Sequence, residues 1–67
     1  MNNDEVLQAL SHLVGTAYEP SLKDVMSEIT GRARIVAPGD ASTLEYDMTR
    51  IEIVTDAKGL IERFIFG

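Results

Sequence analysis

The chain has 67 residues, no cysteine and a formal charge of −5 at neutral pH. A chain of this length builds a limited core and no deep catalytic cleft, so we expect residues 1–67 to form a single domain. The acidic charge argues against general binding to nucleic acid. The lack of cysteine excludes disulfides and thiolate metal sites.

The N-terminal residues, 1–5, are acidic and therefore not typical of a signal peptide. No apolar run in the sequence is long enough to span a bilayer. We therefore expect no membrane partner. The sequence as it stands favours a cytoplasmic protein, or a periplasmic or secreted one if a signal has been removed.

The first predicted helix begins at Asn2, Asn3 or Asp4, since each of these residue types caps helix starts. Its apolar residues recur at helical spacing and form one stripe. The stripe consists of Val6, Leu10, Leu13 and Val14, with Leu7 beside it. We expect Gly15 to end this helix, because glycine readily adopts the left-handed conformation found after helix C-termini.

The second predicted helix is the main helix of the domain. Ser21 and Asp24 have the spacing of a capping box, with Asp in place of the usual Glu, and Pro20 suits a first turn. The apolar positions follow i, i+3, i+4, i+7 and are occupied by Leu22, Val25, Met26 and Ile29. Gly31 is expected to end the helix.

Three strands are predicted in the second half of the chain, over residues 33–37, residues 50–55 and from Leu60 to about Phe66. In the middle strand, Ile51 and Ile53 are expected to face the core, with Arg50 and Glu52 on the other side. Residues 56–59 have the composition of a type I turn with Gly59 in the left-handed position, which predicts a hairpin between the last two strands. The sequence therefore predicts an α+β domain.

The connection between the first two predicted strands, residues 38–49, has no helix or strand pattern. A connection of this length is uncommon in a small domain and is usually functional. Leu44, Tyr46 and Met48 are apolar and alternate with polar residues. This alternation suits an extended segment that presents side chains to a protein partner.

Residues that could support catalysis or hold a metal are few. His12, the only histidine, lies in the first helix and is interpreted as a solvent-facing or interfacial residue. Asp24 and Glu28 are one helical turn apart, which suits a solvated helix face as well as a weak cation site. The sequence has no glycine-rich phosphate loop. We therefore expect no enzyme activity, no cofactor and no metal.

The long connection has the residue types that substrate-like protease inhibition needs. Leu44 is an apolar anchor for a primary specificity pocket, and Thr43 and Glu45 are polar neighbours that can be bound to the scaffold. Arg50, on the adjacent strand, can donate charge-assisted hydrogen bonds to both. Two other interpretations stay open from the residues alone: Leu44 packs inward, or Arg50 is an ordinary arginine at a strand edge.

The same residues resemble the peptidase inhibitor I78 family, whose members are related to the potato inhibitor I fold. Leu13-Val14-Gly15 is similar to the family's LVG motif, and Pro38-Gly39 followed by Thr43-Leu44-Glu45-Tyr46 is similar to its loop motif. Arg50-Ile51, Asp56, Gly59, Ile61 and the terminal Gly67 are similar to its strand and hairpin motif. The ordered set covers most of the chain.

The resemblance implies one main helix and a short N-terminal helix packed on a small, mixed, three-stranded sheet. It also implies parallel pairing of the two strands that flank a long exposed loop, and an antiparallel hairpin after them. The protease-binding loop would consist of Ala41, Ser42, Thr43, Leu44, Glu45 and Tyr46, with Leu44–Glu45 as the reactive bond and Arg50 as its support. The partner would be a serine endopeptidase with an apolar primary specificity pocket.

Three residues depart from the family pattern. Glu52 replaces a basic or amide residue that would be a second loop support, so its charge would repel Glu45. Asp47 replaces a residue that is often basic or polar and adds negative charge near the loop. Phe66 stands where many relatives have a cysteine that pairs with the N-terminal region, and it is expected to pack there instead.

The leading hypothesis is therefore a reversible, substrate-like inhibitor of subtilisin-, chymotrypsin- or elastase-like serine endopeptidases. The alternative is a non-inhibitory protein-binding or assembly domain on the same fold. The departures near Arg50 favour that alternative, and so does the apolar end of the last strand, which suits the edge of a homodimer. That apolar end consists of Phe64, Ile65 and Phe66.

Overall fold

The structure, a computed structural model, describes residues 1–40 and 47–66. Helix α1 covers Asn3–Leu10 and is followed by a short 3-10 helix, Ser11–Leu13. Helix α2 covers Ser21–Thr30. The strands are β1, Ile35–Val36, β2, Ile51–Thr55, and β3, Ile61–Phe66.

The three strands form one mixed sheet in the order β1-β2-β3. Strands β1 and β2 are parallel, with Ile35 opposite Ile51. Strands β2 and β3 are antiparallel, with Ile53 opposite Phe64 and an irregularity after Val54. The prediction of a small α+β structure with two helices and a mixed three-stranded sheet is therefore confirmed.

Helix α1 begins with a capping box. The side chain of Asn2 accepts a hydrogen bond from the backbone N–H of Glu5 (2.8 Å), and the Glu5 carboxylate accepts one from the backbone N–H of Asn2 (3.0 Å). These two bonds satisfy backbone donors that the first helical turn otherwise leaves without partners. Asn2 is thus the cap among the three candidates that the sequence offered.

Helix α1 ends earlier than predicted. The chain tightens into the 3-10 helix after Leu10, and Val14 is extended and 47% exposed, so its expected place on the buried stripe was wrong. The reason lies in backbone hydrogen bonding. The N–H of Gly15 donates to the carbonyl of Ile61 (2.7 Å), and the N–H of Ile61 donates to the carbonyl of Thr16 (2.8 Å). The chain therefore leaves the helix to pair with β3.

Helix α2 starts without a side-chain cap, so the predicted capping box was wrong. Ser21 is the first helical residue, and the carbonyls of Glu19 and Pro20 accept the N–H groups of Leu22 and Lys23 (2.9 and 3.2 Å). Gly31 ends the helix with a positive φ of 71°, as predicted.

The buried face of α2 also differs from the predicted stripe. Met26 is fully buried, whereas Val25 and Ile29 are 42% and 37% exposed. Thr30 takes a buried place instead, because its hydroxyl donates to the carbonyl of Met26 (2.7 Å) and so needs no water. The face that meets the core therefore follows i, i+4, i+8 from the partly buried Leu22.

The strands agree with the prediction in number and order but are shorter. Strand β1 has two residues, and β3 starts at Ile61. The residue before it, Leu60, forms an isolated bridge with Ala17. The turn at 56–59 is confirmed: the N–H of Gly59 donates to the carbonyl of Asp56 (3.0 Å), and the φ of Gly59 is 80°.

The core lies where both helices meet one face of the sheet. Every element contributes to it, and its buried members are Val6, Leu10, Leu13, Met26, Ile35, Ile51, Ile53, Ile61 and Phe64. Phe64 thus belongs to the core, whereas the next residue, Ile65, is 39% exposed on the opposite face. No helix in the described part of the chain is long and apolar enough to cross a membrane.

Two isoleucines that face opposite sides of the sheet test where the core lies. Ile51 is fully buried, so we expect Ile51→Ala to lower the free energy of unfolding by about 2–5 kcal/mol, through lost apolar burial and a cavity. The matched change Ile65→Ala should have an effect below about 1 kcal/mol. Urea denaturation followed by circular dichroism measures both. Equal losses in the two variants would contradict this assignment of the core.

Candidate functional site

The predicted protease-binding loop lies between β1 and β2. Its six residues lie outside the described part of the chain: Ala41, Ser42, Thr43, Leu44, Glu45 and Tyr46. The candidate site is therefore built from the two turns on either side of segment 41–46 and from the side chains that hold them. We call these the Asp40 turn, residues 37–40, and the Asp47 turn, residues 47–50.

The Asp40 turn follows β1 and is closed by two hydrogen bonds between its first and last residues. The N–H of Asp40 donates to the carbonyl of Ala37 (3.1 Å), and the Asp40 carboxylate accepts the N–H of Ala37 (3.1 Å). Pro38 has a restricted φ, and Gly39 has a positive φ of 87°, which suits the second and third positions of a type II turn. The local sequence is therefore sufficient to explain this turn.

An ion pair joins the Asp40 turn to helix α2. The Lys23 ammonium lies 3.6 Å from the Asp40 carboxylate, and both side chains are exposed. An exposed ion pair of this kind contributes little to stability. Its geometric effect is to connect the start of segment 41–46 to the main helix.

The Asp47 turn precedes β2 and is organised by one carboxylate. The Asp47 carboxylate accepts hydrogen bonds from the backbone N–H of Thr49 (2.9 Å) and from its hydroxyl (2.6 Å). The backbone closes the turn with a bond from the N–H of Arg50 to the carbonyl of Asp47 (3.0 Å). The next N–H, of Ile51, donates to the carbonyl of Arg34 (3.0 Å), so the turn leads directly into the sheet.

Positive charge compensates the carboxylate of Asp47. The Arg34 guanidinium lies 3.2 Å from it. The pKa of Asp47 is lowered mainly by the hydrogen bonds from Thr49. Desolvation opposes this effect, and the charges of Arg34 and Arg50 lower the pKa further by smaller amounts. Asp47 was expected to add negative charge near the loop, and in the structure this charge is paired with Arg34 and closes the turn that follows segment 41–46.

Arg32 lies beside the Asp47 turn and binds the N-terminus. Its guanidinium donates to the carbonyl of Met1 (2.9 Å) and to the side-chain oxygen of Asn3 (2.7 Å), and it lies 5.6 Å from the centre of the Phe66 ring. Phe66 is half-buried against the core. Phe66 and the N-terminal residues thus lie against the same guanidinium, and direct packing of Phe66 on the N-terminal region stays a prediction.

A shallow pocket of about 380 Å³ lies between these groups. It is lined by Met1, Thr30, Gly31, Arg32, Ala33, Arg34, Asp47 and Thr49. Its charged walls already take part in the hydrogen bonds and the ion pair described above. The pocket is therefore interpreted as the gap between the end of α2 and the Asp47 turn.

The other residues considered for chemistry lie apart from these turns. His12 is exposed, as expected, and Asp24 and Glu28 are exposed on α2. Among residues 1–40 and 47–66, no group of three acidic or histidine side chains is arranged to hold a metal ion.

Arg50, the predicted loop support, and Glu52, which is predicted to oppose it, are both described. Arg50 is half-buried at the end of the Asp47 turn, and its bonding to Thr43 and Glu45 stays a prediction because both lie outside the described residues. Glu52 is half-buried opposite Ile65, on the sheet face away from the core. It follows Arg50 by two positions, and from strand alternation we expect the two side chains to lie on the same side of the chain.

The sequence model of the peptidase inhibitor I78 family matches residues 7–67. The chain belongs to the peptidase inhibitor I78 family. The match covers both turns and segment 41–46. Comparison with curated proteins and with solved structures found no match.

In this I78 family member, the residues that hold the two turns were not predicted from the sequence. Lys23 and Asp40 are far apart in sequence, and so are Arg34 and Asp47, so no local pattern indicates either pair. One weak signal was available. Arg32 and Arg34 are the closest basic residues in the chain and directly precede a strand, which places them on one side of an extended segment.

The lowered pKa of Asp47 predicts how the stability of the domain depends on pH. The charged carboxylate stabilises the folded state at pH values above the pKa of an unfolded aspartate, about 3.9, and this contribution is lost as the pH falls through the lower folded value. We expect Asp47→Asn to lower the free energy of unfolding at about pH 7 and to have a smaller effect at about pH 3.

Urea denaturation of both proteins at the two pH values measures this difference. Thr49→Val is the matched test of cause, because it removes the hydroxyl that donates to Asp47 and keeps the backbone N–H. Thr49→Val should reduce the pH-dependent part of the free energy of unfolding without abolishing it. An Asp47→Asn protein whose stability changes with pH as much as that of the wild type would contradict the assignment.

Proposed function

We propose that this I78 family member is a reversible, substrate-like inhibitor of serine endopeptidases, acting through segment 41–46. The observation that carries the proposal is that both neighbours of the segment are fixed. Asp40 closes the turn before it and pairs with α2, and Asp47 closes the turn after it and pairs with Arg34. Family membership supports a peptidase as the partner.

Fixed ends are what a substrate-like inhibitor requires. A peptide that is held in place loses little conformational entropy when it enters a protease cleft, so its binding is tighter than that of a free peptide. After cleavage, the two new ends stay close together at a high effective concentration. The peptide bond can then form again, and the protease remains occupied.

In this proposal each loop residue has a role that follows from its chemistry. Leu44 enters the primary specificity pocket, and the bond from Leu44 to Glu45 is the reactive one. Thr43 and Glu45 flank it and are held by Arg50, while Ala41, Ser42 and Tyr46 extend the contact along the cleft. An apolar anchor favours subtilisin-, chymotrypsin- or elastase-like enzymes over trypsin-like ones, whose pocket carries a carboxylate.

Replacing the anchor tests the proposal. We expect the wild-type domain to inhibit subtilisin and chymotrypsin, and Leu44→Asp to weaken the inhibition at least about 100-fold, because an apolar pocket would have to bury a charge. Val14→Asp is the matched control. Val14 is exposed. Its neighbour Gly15 donates a hydrogen bond to Ile61, and Ile61 lies at the end of the β2–β3 pair that is farther from the Asp47 turn.

Steady-state inhibition with a chromogenic peptide substrate gives the inhibition constant of each protein. Val14→Asp should inhibit as the wild type does. Equal inhibition by Leu44→Asp and the wild type would show that Leu44 is not the anchor. If the wild-type domain inhibits neither protease, the proposed function in this form is wrong.

One observation favours the alternative, a protein-binding or assembly domain on the same fold. Ile65 is 39% exposed on the sheet face away from the core, where it lies opposite the half-buried Glu52. Phe64 belongs to the core, so a homodimer edge would depend on Ile65 and Phe66. Sedimentation analysis of the wild type and of Ile65→Asp tests this alternative. An assembly domain would sediment as a dimer in the wild type and as a monomer in Ile65→Asp.

Glu52 provides a second test of the inhibitory loop. If Arg50 holds Glu45, then the negative charge of Glu52, on the same side of the chain, repels Glu45 and competes with it for Arg50. We expect Glu52→Gln to lower the inhibition constant about threefold, a modest effect because charges near the surface are screened. The control Glu62→Gln removes an equal charge from an exposed position on β3 and should change nothing.

We therefore expect the inhibition constant of Glu52→Gln to be lower than that of the wild type, and the inhibition constant of Glu62→Gln to equal that of the wild type. Measurements at low and at about 0.5 M salt add a check, because the gain should shrink as salt screens the repulsion. A Glu52→Gln protein that inhibits more weakly than the wild type would mean that Glu52 supports the loop.

A further inference from the structure

We infer that Arg32 is a positioning residue for inhibition, because it holds the Asp47 turn and with it the Glu45 side of the reactive bond. This inference rests on the proposed function and extends it to a residue outside the loop. Arg32 directly follows Gly31, which ends α2, and it is half-buried.

The Arg32 guanidinium joins three parts of the chain that are distant in sequence. One nitrogen, Nη1, donates to the side chain of Asn3 (2.7 Å) and to the carbonyl of Thr49 (3.4 Å). The other, Nη2, donates to the carbonyl of Met1 (2.9 Å). The guanidinium carbon lies over the Phe66 ring, 5.6 Å from the ring centre. The N-terminus, the Asp47 turn and β3 therefore meet at one side chain.

Asn3 completes the connection to the turn. Its side-chain nitrogen donates to the carbonyl of Met48 (3.4 Å), next to the Thr49 carbonyl that Arg32 binds. The short bonds, to Met1 and to Asn3, fix the guanidinium, and the two longer ones reach consecutive carbonyls of the Asp47 turn. Arg32 and Asn3 thus bind the turn from outside, whereas Asp47 and Thr49 close it from within.

Lysine cannot replace arginine in this arrangement. A guanidinium is planar, carries five N–H donors in a fixed fork and stacks on an aromatic ring. A lysine has a single nitrogen, which cannot reach oxygens on both sides of the fork and lie over the ring at once. The variant Arg32→Lys therefore keeps the charge and removes the geometry.

The hold on the turn matters in the covalent step of the proposed mechanism. The protease serine oxygen bonds to the Leu44 carbonyl carbon, the Leu44–Glu45 bond breaks, and the new amino group of Glu45 takes the serine proton. If Glu45 stays in place, its amine attacks the ester, restores the peptide bond and returns the proton to the serine. If it moves away, water hydrolyses the ester and the inhibitor is consumed. Arg32 keeps the Glu45 side in place.

The experiment compares the wild type with Arg32→Lys and with the matched control Arg63→Lys, which changes an exposed arginine opposite Val54. Three quantities are measured with subtilisin: the inhibition constant, the fraction of chain cleaved at Leu44–Glu45 at equilibrium, and the free energy of unfolding in urea. We expect Arg32→Lys to raise the inhibition constant and the ratio of cleaved to intact chain about tenfold each, with Arg63→Lys unchanged.

A fourth measurement does not depend on any protease. The N–H of Arg50 closes the Asp47 turn, so its hydrogen exchange, followed by NMR, reports the opening of that turn. We expect faster exchange in Arg32→Lys. Asn3→Asp should show a smaller effect of the same kind, because it keeps the acceptor for Arg32 and loses the donor to Met48.

The outcomes separate the inference from the proposed function. If the wild type inhibits and Arg32→Lys inhibits equally, the inference is wrong and the proposed function stands. A loss of unfolding free energy without a change in inhibition or cleavage would show a merely structural role, and it also overturns the inference. Unchanged Arg50 exchange in Arg32→Lys overturns it whether or not the wild type inhibits. A wild type that inhibits neither protease overturns both.

Discussion

The parallel pairing of β1 with β2 is the constraint on which the rest of the candidate site depends. Parallel neighbours cannot be joined by a tight hairpin, because the chain has to return from the end of one strand to the start of the next. Residues 37–50 make that return, with one hydrogen-bonded turn at each end. The segment between the turns is therefore defined by two fixed ends, and each end is organised by one aspartate, Asp40 or Asp47.

The sequence predicted the parts of the fold that local chemistry determines. Gly31 ends α2 and Gly59 takes the left-handed position of its turn, because glycine adopts positive φ without strain. The alternation in β2 identified Ile51 and Ile53 as core residues. Helical spacing alone was less informative, since a helix with apolar residues on two sides allows more than one buried face. In α2 the face that is buried in the fold is the one with Met26 and Thr30.

The candidate site was less predictable because its side chains interact over long sequence distances. The role of segment 41–46 stays a prediction, whereas the family that the resemblance indicated is confirmed by the family match. The resemblance indicated that Asp47 adds negative charge near the loop. It did not predict the pairing of Asp47 with Arg34, because that pairing depends on how β1 and the Asp47 turn approach each other in the fold. The same holds for Arg32 and Asn3, which are 29 positions apart in sequence. A pattern read along one segment contains no signal for such pairs.

Within the described residues the two turns differ in their contacts with the scaffold, and the proposed mechanism explains why this difference matters. Within the described residues, an exposed ion pair with Lys23 connects the Asp40 turn to α2. The Asp47 turn is connected to Arg34, Arg32 and Asn3. In the acyl-enzyme of the proposed mechanism, the Leu44 side would be bonded to the protease serine, whereas the Glu45 side would leave unless the scaffold held it. The proposed mechanism therefore requires scaffold contacts on the Glu45 side, and within the described residues the Asp47 turn has such contacts with Arg34, Arg32 and Asn3.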